Sequence, residues 1–300
     1  MKIAFVHPHK AFLPEIEAYQ AFFSRYNIET AVVRPEAIDT ISADVEWHIM
    51  GIDRSKKKKG MIKVHEYASA SVRPFAGLKN YSKKILNPTP DYRLFLNEFV
   101  KSKLRLKEKI PFGFRNMGVS NYFLDFDTDT IKKEFDFVYA GSVGADRKIN
   151  RFIDVFSTGK LKNKSLLIVS NHYEKLKNIY KKFNNIYFAG PLPHSQIPAT
   201  VSSAKFAVDF RVDEEPHNHQ ASTKLLEYAA LKIPIISSGY EWVRNFQKEN
   251  GGNFYWLEND LSNLNWDNIS SFDYAFPDLS SWTWENQIRK SGVLKFLGLE

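Results

Sequence analysis

The chain has 300 residues, 43% hydrophobic and 25% charged, a size and composition that suit a globular protein of two domains. It has no cysteine, which excludes disulfides, thiolate metal sites and cysteine nucleophiles and favours a reducing, cytoplasmic setting. No apolar run approaches the roughly 18–20 residues that span a bilayer, and the first residues lack the apolar run of a signal peptide. The sequence therefore predicts a protein that is soluble, or at most peripheral to a membrane.

The net charge of +8 is unevenly placed. Residues 1–130 hold 21 Lys and Arg against 15 Asp and Glu, and this excess includes the run Lys56, Lys57, Lys58 and Lys59. Most such runs are only solvated loops. The functional interpretation is attraction to an anionic membrane surface, which would place the protein peripherally on the inner face of the membrane. Nucleic acid is not predicted as a partner, because no known nucleic-acid-binding motif accompanies the charge.

The first half of the chain alternates between predicted strands and helices. Its strands are predicted at residues 2–7, 28–33, 47–52, 61–64 and 92–95, and its helices at 13–26 and 97–105. A segment rich in Lys, Ser and Gly at 69–86 predicts a loop and a surface helix. This order implies a parallel sheet, whose ligands bind beyond the carboxyl ends of the strands.

A polar, acidic segment at 125–130 predicts the domain junction, and a second alternation follows it. Strands are predicted at 135–140, 165–170, 186–189, 206–210 and 254–256, and helices at 149–156, 174–183, 196–204 and 284–297. The sequence thus predicts an α/β fold of two Rossmann-like domains that face a cleft. The predicted domains are residues 1–128 and 129–283, followed by a terminal helical segment, 284–300.

The stretch 217–239 predicts a polar loop, a short helix and a buried strand. Ser222 or Thr223 can cap the helix, whose free N–H groups and dipole favour an anion. Lys224 adds a mobile cation, and Glu227, one turn further on, offers two oxygens to a diol. A diphosphate and a ribose need such groups about one helical turn apart. The alternative is an ordinary helix-to-strand unit with a solvated Lys and Glu.

A second candidate for phosphate binding is the loop that begins Gly141, Ser142, Val143, Gly144. It follows a predicted strand and precedes a helix, so its backbone can approach a phosphate closely. It matches neither G-x-G-x-x-G nor a Walker loop. Arg147 and Lys148 lie at the helix start, where two cations suit a diphosphate. The alternative is a tight turn with solvated cations.

Three histidines follow predicted strands and are candidates for general acid or base work: His7, His9 and His65. A structural hydrogen-bonding role is the alternative for each. His217 and His219 lack a clear third ligand, so no metal site is predicted. The serines lack a nucleophile-elbow context, which disfavours acyl transfer.

In their order and spacing, these motifs resemble the GT-B glycosyltransferases of the group that includes families 1 and 4. The resemblance rests on residues 137–148, 186–208 and 217–239, and on the segment Ser281, Trp282, Thr283, Trp284, Glu285. It implies a nucleotide-sugar donor of UDP, GDP or dTDP type, held by the second domain, and an acceptor held mainly by the first. It also implies that residues 284–300 cross back to the first domain, and that neither a metal nor another cofactor is needed.

The resemblance gives roles to individual residues. Glu227 matches the second Glu of the E-x7-E motif, which holds the ribose hydroxyls, and Arg147 or Lys148 matches the basic residue that neutralises the diphosphate. Ser222, Thr223 and Lys224 occupy the helix start near that diphosphate.

The chain departs from the E-x7-E motif at its first position. His219 stands where many family 4 members have the first Glu, so His219 becomes a catalytic candidate and the choice between retaining and inverting stays open. His65 falls where some members place a sugar-contacting His.

The resulting hypothesis is a metal-independent hexosyl- or deoxyhexosyltransferase. It would act on a polysaccharide or lipid-linked oligosaccharide acceptor in the synthesis of cell-surface glycan of the lipopolysaccharide or capsule type. The alternatives are a nucleotide-sugar epimerase of the same fold and a non-catalytic subunit that binds a partner transferase.

Overall fold

A computed structural model of the chain describes residues 1–8, 13–49, 51–71, 75–106, 109–144 and 147–300. The candidate His9 lies outside the described residues, as do residues 145 and 146 of the glycine loop. The chain divides into two compact units, Met1–Gly118 with Trp282–Glu300, and Val119–Ser281. The boundaries after residues 128 and 283 stay predictions. Among the described residues, no helix combines the length and apolar character needed to cross a bilayer.

The first unit is built on a parallel sheet that has six strands within the described residues, in the order β2-β1-β3-β4-β5-β6. The strands are β1 (Lys2–Val6), β2 (Glu29–Val33), β3 (Val45–Ile49), β4 (Ile62–Tyr67), β5 (Tyr92–Phe95) and β6 (Phe112–Phe114). Its helices before residue 118 are α1 (Pro14–Ser24), α2 (Ala76–Leu86) and α3 (Glu98–Leu104). Helix α2 is the surface helix predicted within residues 69–86.

The second unit has a parallel sheet of the same size across the described residues, in the order β12-β11-β10-β7-β8-β9. The strands are β7 (Phe135–Ala140), β8 (Leu166–Val169), β9 (Ile186–Ala189), β10 (Ala204–Asp209), β11 (Ile235–Ser238) and β12 (Tyr255–Leu257). The helices are α4 (Asn121–Leu124), α5 (Asn150–Ser157), α6 (Glu174–Tyr180), α7 (Ile197–Ser202), α8 (Thr223–Ala230), α9 (Glu241–Asn250) and α10 (Trp266–Ser270). The two Rossmann-like sheets confirm the predicted fold class. Helix α9 was not predicted.

The last residues return to the first unit, as the resemblance implied. The single helix expected at 284–297 is instead two, α11 (Trp284–Lys290) and α12 (Val293–Phe296). Gly292 separates them because its φ of +72° belongs to the left-handed region, which ends a right-handed helix. Ile288, Val293 and Leu294 are buried in the core beneath the first sheet, so this segment completes that core.

The prediction that strand β4 ends before His65 is wrong. The strand continues to Tyr67, and His65 lies inside it, paired in register with Arg93 of β5. The polar side chains Lys63 and His65 are fully buried there because Asp53, from the preceding loop, accepts a hydrogen bond from each. A local polarity pattern does not reveal this partner, because Asp53 is ten positions from Lys63 and twelve from His65 in the sequence.

A buried ion cluster lies near the ends of β4 and β6 in the first unit. The Arg115 guanidinium donates to the Glu66 carboxylate and lies 3.6 Å from Glu15. Glu66 also accepts hydrogen bonds from the Trp47 indole at 2.7 Å and the Tyr19 hydroxyl at 3.0 Å. The guanidinium carbon of Arg115 is 5.3 Å from the centre of the Trp284 ring, so the cluster also contacts the first residue of α11.

Replacement of Arg115 by Met should destabilise the first unit by about 3–5 kcal/mol, because two buried carboxylates would lose their positive partner. The measurement is urea unfolding followed by tryptophan fluorescence, to which Trp47 and Trp284 beside the cluster contribute. The exposed Arg54, changed to Met, is the control and should leave the midpoint nearly unchanged. Equal midpoints for the two variants would contradict a stabilising role for the cluster.

Candidate functional site

The strand order of the second unit creates a switch point between two neighbouring strands. The chain passes from β7 outward to β8 and β9, then returns to place β10 on the other side of β7. In parallel α/β sheets, ligands bind beyond the carboxyl ends of the strands at such a point. The glycine loop follows β7, and the segment that leads to α8 follows β10, so both candidate phosphate elements flank it.

Helix α8 begins as the sequence predicted. Ser222 is its N-cap, and the Ser222 hydroxyl accepts a hydrogen bond from the Leu225 N–H at 3.3 Å. Thr223 and Lys224 are the first two helical residues, whose N–H groups have no acceptor within the helix. The start of α8 thus combines polar N–H groups with the positive end of the helix dipole.

A buried carboxylate fixes this helix start. Asp209, the last residue of β10, is fully buried and accepts from the Ser222 hydroxyl at 3.1 Å and from the Tyr240 hydroxyl at 2.7 Å. The Lys224 ammonium is 3.1 Å from the same carboxylate. Burial by itself would raise the pKa of Asp209, but Lys224 and Arg211 outweigh it and hold that pKa below its ordinary value. Asp209 is therefore ionised at neutral pH, and it orients Lys224.

The helix and the glycine loop touch at the switch point. The Ala140 N–H donates to the Tyr228 hydroxyl at 2.8 Å, and the Lys224 ammonium lies 4.6 Å from the centre of the Tyr139 ring. Gly141 has a φ of +152°, and a Cβ placed there would lie 3.7 Å from the Lys224 side chain. The structure thus brings the predicted residues Gly141 and Lys224 together.

The other predicted residues of the glycine loop have local partners. The Ser142 hydroxyl accepts from the Gly144 N–H at 3.4 Å, and the Arg147 N–H donates to the Gly144 carbonyl at 2.9 Å. The Lys148 ammonium pairs with Glu214 at 2.7 Å, which connects the glycine loop to the segment after β10. Because both partners are exposed, this ion pair is weak, and an anionic ligand can compete for Lys148.

Glu227 is buried and forms the end of a hydrogen-bonded chain. The His194 Nε2 lies 2.8 Å from the Glu227 carboxylate, and the Tyr122 hydroxyl contacts the His194 Nδ1. A carboxylate can only accept, so Nε2 carries the proton and Nδ1 accepts from Tyr122. The ring orientation of His194 therefore fixes the position of Glu227.

The three catalytic candidates lie in different places. His219 is in a short 3₁₀ turn before α8, with its Nδ1 3.1 Å from the Glu241 carboxylate. His7 belongs to the first unit, where its backbone N–H donates to Val33 just beyond the carboxyl end of β1. His65 is also in that unit and is fully buried against Asp53. Their catalytic roles stay predictions.

Sequence reasoning missed Asp209, His194 and Tyr122. Asp209 carried a signal, since it is an acid that follows directly on the apolar run 206–208 at the end of a predicted strand. His194 lies in the 186–208 segment used for the resemblance, but its partner Glu227 is 33 positions away. Within the residues that the structure describes, no group of three or more His, Asp or Glu side chains is arranged to hold a metal ion.

The buried His65 predicts a pH dependence of stability for the first unit. Burial lowers the pKa of His65 to about 4, outweighing the hydrogen bond to Asp53 that raises it. Between pH 6.5 and 4 the unfolded chain binds a proton that the folded chain does not. The free energy of unfolding should therefore decrease as the pH is lowered from 6.5 to 4, by at most about 3 kcal/mol.

The measurement is the urea unfolding midpoint as a function of pH. The variant His65→Gln should lose this component of the pH dependence, whereas His172→Gln, changed at an exposed position, should keep it. An unchanged slope in His65→Gln would show that His65 does not titrate in this window.

No protein-family profile and no curated protein sequence matches the chain, whereas many solved structures do. AviGT4, a glycosyltransferase involved in avilamycin A biosynthesis, superposes with a TM-score of 0.59 at 12% identity, covering 99% of this chain and 95% of its own. Sucrose-phosphate synthase from Thermosynechococcus elongatus superposes with a TM-score of 0.65 at 12% identity, covering 98% of this chain and 94% of its own. A T4 phage BGT mutant in complex with UDP-glucose superposes with a TM-score of 0.56 at 13% identity, covering 90% of this chain and 89% of its own. The chain has the GT-B glycosyltransferase fold.

Proposed function

We propose that the chain is a glycosyltransferase that moves a hexosyl or deoxyhexosyl group from a nucleotide-diphosphate donor to a glycan acceptor. The observation that carries the proposal is the grouping at the switch point of the second unit. There the α8 N-terminus, Lys224 and Gly141 adjoin, and Glu227 lies one helical turn further along α8. The UDP-glucose bound to the similar T4 phage protein is a donor of the proposed class.

The proposed donor position matches the chemical demand of the reaction. A nucleoside diphosphate leaves with growing negative charge, which fixed cations and N–H groups stabilise best. Lys224 is oriented by Asp209, and Arg147 and Lys148 lie on the facing loop. These protein cations take the role that a metal has in other transferases, so we propose a metal-independent reaction without a further cofactor.

Glu227 is the proposed ligand of the ribose hydroxyls. Its carboxylate accepts from His194, and the hydrogen bonds of a diol would add to this contact or replace it. Because His194 holds the carboxylate, little side-chain entropy remains to be lost when the ribose binds.

Of the three catalytic candidates, we favour His7 as the base. It lies just beyond the carboxyl end of β1, beside β3, where the strand order of the first sheet switches direction. His65 lies inside its strand rather than beyond a strand end, and His219 lies in the second unit beside Glu241.

The proposed acceptor is a polysaccharide or lipid-linked oligosaccharide of the lipopolysaccharide or capsule type, held mainly by the first unit. The run at 56–59 supports this, because all four lysines are exposed on the first unit. However, Lys57 pairs with Asp91, and Lys58 lies 3.1 Å from Asp39 and 3.5 Å from Glu46. The proposed attraction to a cytoplasmic anionic membrane surface therefore depends mostly on Lys56 and Lys59.

Replacement of Glu227 by Ala should weaken nucleotide binding at least about tenfold, because charge-assisted hydrogen bonds to the ribose are lost. Calorimetric titration with UDP, GDP and dTDP measures this effect and identifies the base. Glu227→Gln should bind with intermediate affinity, and the exposed Glu249→Ala should bind like the unaltered chain. Unchanged affinity in a folded Glu227→Ala variant would refute the assignment of the ribose ligand.

The purified chain should release nucleoside diphosphate from one class of nucleotide sugar, and excess chelator should leave that rate unchanged. The measurement is nucleotide release across a panel of UDP-, GDP- and dTDP-sugars, with and without glycan acceptors. Complete loss of activity in chelator would contradict metal independence. An isomerised sugar still attached to its nucleotide would identify an epimerase, and binding without turnover of any donor would indicate a non-catalytic subunit.

A further inference from the structure

Helix α2 in the first unit presents its apolar side chains to solvent. Leu78 is 63% exposed, Tyr81 60% and Ile85 61%, and the preceding Phe75 is 74% exposed. No residue of α2 is buried. A surface helix of a globular protein normally turns its apolar stripe towards the core, so α2 has the reverse orientation.

The polar side of α2 is the side attached to the protein. The Asn80 side chain donates to the Lys103 carbonyl at 3.3 Å, next to α3, and accepts from the Ser71 N–H at 3.4 Å. At about 100° per residue, Leu78, Tyr81 and Ile85 share one face, and Asn80 lies roughly opposite to it. These two hydrogen bonds thus hold the apolar face outward.

The charge of α2 is of one sign. The helix carries Lys79, Lys83 and Lys84 and no Asp or Glu. At about 100° per residue, Lys79 and Lys84 lie at the two borders of the apolar face, whereas Lys83 lies on the opposite, partly buried side. An apolar face bordered by lysines is the pattern of a helix that lies in the plane of a membrane interface.

We propose that α2 docks on an anionic lipid bilayer, with Leu78, Tyr81 and Ile85 among the acyl chains and with Lys79 and Lys84 at the headgroups. The helix spans about 16 Å, which suits a helix lying flat in the interface rather than crossing the bilayer. The inference goes beyond sugar transfer, and it holds whether or not the chain has that activity.

Charge complementarity favours an anionic bilayer over a second copy of the chain as the partner of α2. A second copy docking through the same face would bring Lys79 and Lys84 of both copies together without any acid on either helix, which costs free energy. A bilayer that contains anionic lipid offers both the apolar depth and the negative charge, at about 1 kcal/mol per lysine near its surface, or about fivefold in affinity.

The first test uses the absence of cysteine from the chain. A Leu78→Cys variant labelled with an environment-sensitive fluorophore should shift its emission to the blue when phosphatidylcholine vesicles containing one-third phosphatidylglycerol are added. Vesicles of phosphatidylcholine alone should give a much smaller shift. The same label at Ile179→Cys, an exposed apolar position on α6, should not respond. No shift at position 78, or equal shifts at both positions, would overturn the proposal.

The second test measures the fraction of protein that floats with the same anionic vesicles. The double change Leu78→Ser with Ile85→Ser should weaken binding at least about tenfold, and Lys79→Gln or Lys84→Gln about fivefold each. Ile179→Ser is the matched control and should bind normally. Lys56→Gln with Lys59→Gln tests the lysine run separately. Unchanged binding in the double serine variant, or concentration-dependent dimerisation that this variant abolishes, would overturn the proposal.

These variants also separate this proposal from the proposed function. Nucleotide affinity depends on the proposed donor site in the second unit and should be unchanged by the α2 substitutions. Loss of vesicle binding with intact nucleotide binding would therefore support the α2 proposal on its own terms. Intact vesicle binding with no nucleotide binding would count against the proposed function alone.

Discussion

The buried carboxylate of Asp209 is the constraint on which the proposed donor site depends. A charge removed from water costs several kcal/mol unless it is paired and hydrogen-bonded, and here Lys224, Ser222 and Tyr240 supply the partners. These partners come from the start of α8 and from the residue before α9. Satisfying one carboxylate at the end of β10 therefore fixes the helix N-terminus, the cation beside it and, one turn later, Glu227.

The same principle organises the first unit, with a different outcome. There the buried charges of Glu66 and Arg115 pair with each other, and Arg115 also contacts Trp284 at the start of α11. The cluster therefore stabilises the packing of α11 in the first unit. In the second unit, Lys224 still lies at the glycine loop and Glu227 retains a second oxygen beyond its bond to His194. The polar groups of the first cluster pair with one another, whereas Lys224 and Glu227 in the second are the groups proposed to bind the donor.

Local pattern was sufficient to predict much of this protein. Strands β5, β7 and β9 were predicted at their observed bounds, and Ser222 was one of the two residues predicted to cap α8, because these features depend on local chemistry. Prediction failed where the physical cause is distant in sequence. His65 remains in a strand because Asp53 accepts its hydrogen bond. The role of His194 could not be predicted because it depends on a hydrogen bond to Glu227, which is distant in sequence. The left-handed turn at Gly292 is a local cause that helical periodicity overlooked.

A crystal structure with bound nucleoside diphosphate would test the central claim most directly. The account predicts the diphosphate at the start of α8, within hydrogen-bonding distance of Lys224 and of the Thr223 N–H. It also predicts both ribose hydroxyls on the Glu227 carboxylate. A diphosphate bound away from the carboxyl ends of β7 and β10, or a ribose that does not touch Glu227, would contradict it.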